Sequence, residues 1–331
     1  MGEALSVGMI GSGGIARSHM RAIAGLDTVH LAAVMDIDEA RAQTAAEEHG
    51  ARAYTSLDDL LGDAEVEAVH VCTPHSLHVG QVVAAAEAGK HVLVEKPMAL
   101  NVADCDRMIA ACEDAGKTLM VGQVLRHYPI NRAVKAMIAE GRIGEVGHLI
   151  RRRYSYFDPG EPNSGYPGWY RDLEVGGVCV LYCFGPHEYD ILPWYMDSPV
   201  VEVYSRGTES TALYEGQKDS YTTMMTHENG AVSVLSQSVV SHAGAGDQFI
   251  MGSEGSMRFT NGELTVNGET VAVEGSASEG MGRQIKEFAR CCLTGDTPDA
   301  SGRSVRHSMA VIEAAWHSAE RLEPVQVAEF G

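Results

Sequence analysis

Leu5-Ser6-Val7-Gly8-Met9-Ile10-Gly11-Ser12-Gly13-Gly14-Ile15-Ala16 joins a short apolar run to a G-x-G-x-x-A turn. A turn of this kind, leaving a strand and opening a helix, is a dinucleotide-binding fingerprint. Its glycines allow a tight bend and close approach of the backbone to a pyrophosphate. The phosphates then rest on the positive end of the following helix, predicted over residues 15–24. A second apolar run, residues 30–35, leads into Asp36, 20 residues beyond Ala16. A carboxylate there can accept hydrogen bonds from both ribose hydroxyls, and it repels a 2′-phosphate. The next residue is Ile37, not an arginine that would welcome that phosphate. The pattern favours NAD over NADP, with Gly11, Gly13, Gly14, Ile15, Asp36 and Ile37 as the expected contacts.

Outward from this turn, apolar runs alternate with helical patterns, as βαβ units do. Further strands are predicted at 68–71, 91–94 and 118–121, and helices at 38–49, 77–88 and 102–115. Asn101 with Asp104 three residues on suits a helix N-cap, and Gly116 suits a stop. The runs are apolar throughout, as in a parallel sheet covered on both faces. After Arg126 the character changes. A helix at 130–140 precedes an extended run at 146–157, and a Gly-, Pro- and aromatic-rich loop leads to a single helix predicted from 177 to about 195. From 200 to 273 short β-like runs are broken by Asn229-Gly230, Asn261-Gly262 and Asn267-Gly268, which read as hairpins of a mostly antiparallel sheet. Two closing helices, 281–293 and 304–321, complete an α+β half. Two domains result: a doubly wound Rossmann domain at 1–125 and an α+β domain at 126–331.

With 331 residues, 45% hydrophobic and 21% charged, the chain can bury a sizeable core. Its net charge of -20 repels nucleic-acid backbones and anionic membrane surfaces. Arg151-Arg152-Arg153 is too small a basic cluster to reverse that, and reads as a strand end or subunit contact. Seven scattered cysteines fit reduced thiols, and no signal-peptide pattern or spanning apolar stretch is present. A cytoplasmic protein is expected. Met1-Gly2-Glu3-Ala4-Leu5-Ser6 matches the loose myristoylation pattern by coincidence, because the strand begins at Leu5.

Cys72-Thr73-Pro74, His78, Ala88-Gly89-Lys90 and Glu95-Lys96-Pro97 resemble the Gfo/Idh/MocA family, which includes glucose–fructose oxidoreductase and inositol dehydrogenases. The resemblance continues through Gly122-Gln123-Val124-Leu125-Arg126, Gly141-Arg142-Ile143-Gly144-Glu145-Val146, Gly176-Gly177, Gly185-Pro186-His187 with Asp190, and Gly252-Ser253-Glu254-Gly255-Ser256, so it covers nearly the whole chain. It implies oxidation or reduction at a hydroxyl-bearing carbon of a sugar, sugar derivative or inositol. It also implies a homodimer or homotetramer joined through the second domain's sheet. Thr73, Pro74, His78, Glu95, Lys96 and Gln123 fall on the cofactor side of its pattern; Gln123, Arg126 and Tyr156 are pocket candidates.

Lys96 would stand at the carboxyl end of a parallel strand, where open α/β sheets bind ligands. An ammonium there can polarise a substrate hydroxyl and stabilise alkoxide character. Glu95 points to the opposite side of the strand and reads as a buttress. His187 is the candidate base, since an imidazole titrates near neutrality. In the family pattern an aspartate precedes that histidine by one helical turn; here the position holds Cys183. A thiol is mostly neutral at pH 7 and a weak hydrogen-bond partner. Three outcomes stay open: chemistry by Lys96 and His187 alone, transfer of the aspartate's role to Asp172 or Tyr182, and sugar and cofactor binding without turnover. Elimination at a glycosidic bond through transient use of bound NAD is a further activity that the resemblance allows.

Cys179, Cys183 and His187 at i, i+4 and i+8 would share a helix face, but no fourth ligand is evident, so a metal is not expected. Cys105, Cys112, Cys291 and Cys292 read as packing residues. The loop carrying Tyr166, Trp169, Tyr170 and Arg171 suits the apolar face and hydroxyl rim of a cyclic sugar, or else a packed aromatic cluster. Trp169, Arg171 and Cys183 join Lys96, Gln123, Arg126, Tyr156 and His187 as substrate-side candidates. His75, His127, His227 and His242 are assigned structural roles, whereas His78 lies in the cofactor-side motif.

Overall fold

The computed structural model describes residues 4–161, 167–260 and 262–331. They form two compact units.

The first unit runs to His127 and takes in Ser278–Arg306. Its elements are β1 (Leu5–Ile10), α1 (Gly14–Ile23), β2 (Val29–Met35), α2 (Glu39–His49), β3 (Arg52–Tyr54), α3 (Leu57–Gly62), β4 (Ala68–Val71), α4 (His78–Glu87), β5 (His91–Val94), α5 (Val102–Asp114) and β6 (Leu119–Val121). The strands are all parallel in the order β3-β2-β1-β4-β5-β6. Chain direction across the sheet therefore reverses between β1 and β4, and the carboxyl ends of these strands make the crevice where such sheets bind ligands. Every residue of β4 is buried, and Val92, Leu93 and Val94 of β5 are fully so. Burying each such side chain is worth roughly 1.5–3 kcal/mol.

Caps fix the helix starts. Asn101 Oδ1 accepts the Asp104 amide at 2.8 Å, and Asp38 Oδ1 accepts that of Arg41 at 3.1 Å. Gly50, at φ +68°, ends α2 in the left-handed conformation that glycine supplies without strain. The sequence reading left residues 50–67 without an element, yet β3 and α3 lie there. β3 is a three-residue edge strand that is only partly buried, so it lacks the apolar run by which the inner strands declare themselves.

The second unit comprises Tyr128–Ala277 and His307–Gly331. It holds α6 (Pro129–Ala139), β7 (Val146–Tyr156), α7 (Leu173–Gly176), α8 (Gly185–Met196), β8 (Val200–Thr208), β9 (Ser220–His227), β10 (Val232–Ser238), β11 (Val240–Gly252), β12 (Ser256–Thr260), β13 (Glu263–Val266) and β14 (Glu269–Val271). Helix α9 (Gly280–Thr294) follows, then α10 (Gly302–Arg321), and β15 (Val325–Gln326) closes the chain. Nine strands form one sheet, β14-β13-β12-β11-β7-β10-β9-β8-β15. Only β7 and β10 pair parallel; the other ladders are antiparallel. Strand β9 alternates strictly, with Tyr221, Thr223 and Met225 buried and Thr222 and Met224 exposed, so one face is covered and the other open. Asn267 (φ 53°) and Gly268 (φ 86°) both take positive φ between β13 and β14, the two-residue turn expected of Asn-Gly. Asn261 lies outside the described residues.

The sequence reading drew one division, at residues 125/126. The compact units instead place α9 with the first, where it packs on α1 and the segment after it continues alongside β6: Val121 N–H donates to Ala300 O at 2.8 Å. A chain boundary read from composition cannot see such a return.

Candidate functional site: a dinucleotide seat and a buried histidine network

At the end of β1, Gly11 sits at φ +92°, and a Cβ there would lie 2.7 Å from Cys72 O. Chain geometry alone demands glycine here. Gly13 and Gly14 differ: a Cβ on either meets nothing within 4 Å. The protein's own packing does not require these two glycines, whereas a ligand's backbone-close approach would. The start of α1 agrees. Its N-cap, Gly13, offers no side-chain acceptor, and its first turn holds no acid. These amides therefore remain a seat for an anion. Ile15 is exposed beside them.

Asp36 closes the seat. Its Oδ2 accepts the Ser12 amide at 2.9 Å and the Ser12 hydroxyl at 2.7 Å, and its Oδ1 accepts the Asp38 amide at 3.0 Å. Burial would raise this carboxyl, but these hydrogen bonds and nearby Arg41 outweigh it and hold it below the usual range. Ile37 beside it is 88% exposed. The residues present fit a dinucleotide whose ribose hydroxyls meet a fixed anion.

After β4, Thr73 donates its hydroxyl to Gln81 Oε1 at 2.5 Å, and Pro74 starts the turn into α4. His78, fully buried, has Nε2 3.0 Å from Thr73 O and Nδ1 2.9 Å from Pro97 O. It thus touches both the β4 and β5 loops. The Lys96-Pro97 peptide is cis.

After β5 comes Glu95, 5% exposed. Its Oε2 accepts the Lys96 amide at 3.1 Å, and its Oε1 lies 2.9 Å from His19 Nε2. His19 Nδ1 in turn lies 3.1 Å from His70 Nδ1. Burial would raise Glu95, but His19 and Lys96 outweigh it and hold the carboxyl below its ordinary range. Gly122 leaves room for that carboxylate, since a Cβ would stand 2.8 Å from Oε1. The Lys96 side chain is half-buried. Gln123 is buried at the end of β6. Arg126 is buried too, its Nη1 donating to Asp299 O at 2.7 Å and Ser304 Oγ at 2.9 Å, so this guanidinium anchors the segment leading into α10.

His19 and His70 went unnoticed in the sequence. The signal was present: Ala16, His19, Met20 and Ile23 form the buried stripe of α1, so His19 occupies an apolar position. His70 interrupts the otherwise apolar β4.

In the second unit the single helix expected over 177–195 is instead a π-helical turn, Cys179–Phe184, followed by α8. Apolar periodicity cannot distinguish the two, and π-turns cluster at functional positions. The even i, i+4 face drawn for Cys179 and Cys183 is thereby lost. Cys183, 1% exposed, donates weakly to Gly176 O at 3.9 Å. Among the described residues no group of three or more His, Cys, Asp or Glu is placed to hold a metal. His187 is half-buried in the first turn of α8. Asp172 caps α7, accepting the Glu174 amide at 2.9 Å and the Val175 amide at 3.3 Å, while Tyr182 is buried.

Trp169 and Tyr170 meet edge to face at 4.6 Å, and Tyr170 packs edge-on against Phe157 and Phe184. Arg171 pairs with Glu215 at 3.4 Å. Tyr156 is 44% exposed and stacks on His242 at 4.0 Å. Gln217 was also missed: it accepts the Cys179 amide at 3.0 Å and donates to Arg171 O at 2.6 Å, tying the aromatic loop to the π-turn. Tyr166 lies outside the described residues. His227, between Ser198 O and Ser233 Oγ, is a buried bridge.

Residues 5–123 match the description "oxidoreductase family, NAD-binding Rossmann fold", and residues 131–258 match the GFO/IDH/MocA C-terminal domain. The chain is 30% identical over 246 residues to the uncharacterized oxidoreductase YrbE of Bacillus subtilis (strain 168), covering 72% of this chain and 68% of that one. It is 27% identical over 345 residues to myo-inositol 2-dehydrogenase of Thermotoga maritima, covering 98% and 99%. Aldose-aldose oxidoreductase of Caulobacter crescentus superposes with a TM-score of 0.89 over 98% of this chain and all of its own, at 24% identity, which speaks to the fold.

Proposed function

The chain belongs to the Gfo/Idh/MocA oxidoreductase family, and from that premise we propose that it interconverts a secondary alcohol and a ketone on a cyclic sugar, sugar derivative or inositol, with NAD preferred over NADP. The observation that carries the reading is the placement of Lys96 at the carboxyl edge of the same sheet whose first turn is shaped for a dinucleotide. Gly11, Gly13, Gly14 and Asp36 would hold a nicotinamide nucleotide at that turn, and it would supply the hydride acceptor or donor. Lys96 donates a hydrogen bond to the substrate oxygen and stabilises its developing negative charge. His187 accepts the hydroxyl proton during oxidation and returns it during reduction. Cys183 cannot hold an imidazolium as a carboxylate would, and Asp172 is committed to a cap, so the histidine works without a carboxylate on the turn before it.

Trp169, Arg171 and Tyr156 give this reading aromatic and polar surface for a ring and its hydroxyls, and Gln123 adds an amide. The preference for NAD rests on the Asp36 carboxylate, fixed by Ser12 where a 2′-phosphate would have to lie. Six of the seven cysteines are buried, and all seven are free thiols, which suits a reducing cytoplasm. No helix among the described residues is long and apolar enough to cross a membrane. The open face of the β9–β10 sheet suits self-association into a dimer or tetramer, to be measured by light scattering.

The test is turnover of a polyol panel (myo-inositol, scyllo-inositol, D-glucose, D-xylose and 1,5-anhydroglucitol) with NAD and with NADP, for wild type and Lys96→Ala. Expected is NAD reduction by wild type and a loss on the order of 100-fold or more in the variant. Equal turnover in both removes Lys96 from the mechanism; a p-nitrophenyl glucoside added to the panel covers the other activity, and release of nitrophenol from it without net NADH points to elimination instead.

A further inference from the structure

We propose that His19 is a positioning residue for Lys96, acting through Glu95, and that His70 fixes the tautomer in which His19 does so. The inference rests on Lys96 serving as the group that polarises the substrate oxygen.

The argument starts from donors and acceptors. Glu95 is ionised, so both its oxygens only accept. Its Oε2 takes the Lys96 amide; its Oε1 faces His19 Nε2 at 2.9 Å, and that nitrogen must therefore carry a hydrogen. Only one hydrogen fits between the two Nδ1 atoms 3.1 Å apart. If His19 carried it, His70 would hold its own hydrogen on Nε2, which is buried and has no hydrogen-bond partner among the described residues. A stranded buried N–H is rare and costly. With the hydrogen on His70 Nδ1, every N–H of the pair is used and only an unprotonated Nε2 is left without a hydrogen bond, in a ring that packs against Phe288 with centroids 5.5 Å apart. The chain is thus directed: His70 donates to His19, His19 to Glu95, and Glu95 receives the backbone of the reacting lysine.

The consequence is mechanical. His19 lies on α1, the helix whose start forms the dinucleotide seat, and Glu95 ends the strand that presents Lys96. Two hydrogen bonds to one carboxylate therefore fix the lysine backbone relative to the cofactor helix, and Gly122 keeps the carboxylate's place clear. A reacting group displaced by about 1 Å can cost on the order of 100-fold in rate.

Two measurements test this. The first is long-range ¹H–¹⁵N imidazole spectroscopy on the wild-type chain, with His19→Gln and His70→Phe used for assignment. Expected are His19 as the Nε2–H tautomer and His70 as the Nδ1–H tautomer; His19 protonated on Nδ1 alone, or His70 on Nε2, overturns the proposal. The second is a split between rate and affinity on the fastest substrate of the panel. His19→Leu should lower kcat on the order of tenfold or more while the NADH dissociation constant, read by fluorescence, moves less than about threefold. His19→Gln, which keeps an N–H, should recover part of the rate. Unchanged kcat in a folded His19→Leu chain, or equal losses in rate and NADH affinity, refutes it; if that variant does not fold, the tautomer measurement decides alone. Lys96→Ala is the control: full turnover there sinks the parent reading, whereas loss there with normal kcat in His19→Leu sinks only this one.

Discussion

The amide and the hydroxyl of Ser12 converge on one oxygen of Asp36, at 2.9 and 2.7 Å. The middle residue of the glycine turn and the acid that ends β2 thus move as one piece, and the second carboxylate oxygen is held by the Asp38 amide. A pre-fixed anion discriminates between ribose hydroxyls and a phosphate better than a mobile one, because no reorganisation lets it swing aside. Asp36→Ala should therefore shift the ratio of NADPH to NADH affinity toward NADPH by about tenfold, equivalent to about 1.4 kcal/mol. Ser12→Ala, which removes one of three hydrogen bonds to that carboxylate, should give a smaller shift of the same sign. Titration of each protein with both nucleotides measures it, and an unchanged ratio in Asp36→Ala contradicts the role.

Gly11 and Gly14 of the turn should separate cleanly. Gly11→Ala forces a side chain into positive φ, at roughly 1–2 kcal/mol, and drives its Cβ against the Cys72 carbonyl. It should lower the melting temperature markedly. Gly14→Ala meets no atom and replaces glycine in the first turn of α1, so stability should hold or rise. Its cost should appear instead as weaker NADH binding, on the order of tenfold. A variant with normal binding would mean that the nucleotide does not approach that Cα.

Much of this was legible in the sequence, and the failures share a cause. β1, β4 and β5 fall on the residues read as apolar runs, because strands buried on both faces announce themselves without periodicity. The Asn101 cap was equally plain, since a cap is a local event. What escaped depends on partners distant in sequence. The edge strand β3 is made by its neighbour β2, and α9 joins the first unit by packing on α1. His19 acquires meaning only when Glu95, 76 residues later, arrives beside it. The π-turn before α8 hides for another reason: one extra residue per turn leaves an apolar run looking the same.

Cys183 and His187 should prove unequal. The thiol is buried, and its hydrogen bond to Gly176 O, at 3.9 Å, is a weak one. Cys183→Ala should keep kcat within about threefold, whereas His187→Ala should lose roughly 100- to 10,000-fold if it is the general base. Parallel losses would bring the thiol into the chemistry.

Helix α8 is held by a buried ion pair next to His187. Glu188, 2% exposed, meets Arg151 of β7, and its other oxygen lies 3.2 Å from Arg153 Nε. Arg151 also donates to Gln248 Oε1 at 2.7 Å. Removing one partner of such a pair leaves an uncompensated buried charge and costs about 3–5 kcal/mol. Glu188→Gln should therefore unfold at clearly lower urea, with a far smaller effect for Glu279→Gln, whose pair with Arg283 is exposed.

Acid should destabilise the fold before its carboxylates titrate. Burial, reinforced by neighbouring His19, holds His70 well below the ordinary 6.5. Burial also lowers His78 against the opposing carbonyls of Pro97 and Thr73, and lowers His227 against that of Ser198. Below pH 6.5 the unfolded chain binds protons at these positions and the native chain does not. Stability therefore rises with pH in that window and is lost as pH falls from 6.5 toward the depressed native values. Each such group contributes about 1.4 kcal/mol per pH unit while the difference lasts. Glu95, lowered from 4.5, acts further down, its contribution present above 4.5 and lost as pH falls through its native value. Urea midpoints between pH 7.5 and 5 should thus decline, and His70→Phe should show a shallower slope by about one proton. A flat profile, or an unchanged slope in that variant, would mean that His70 takes up a proton in the native state and that the directed chain to Glu95 does not form.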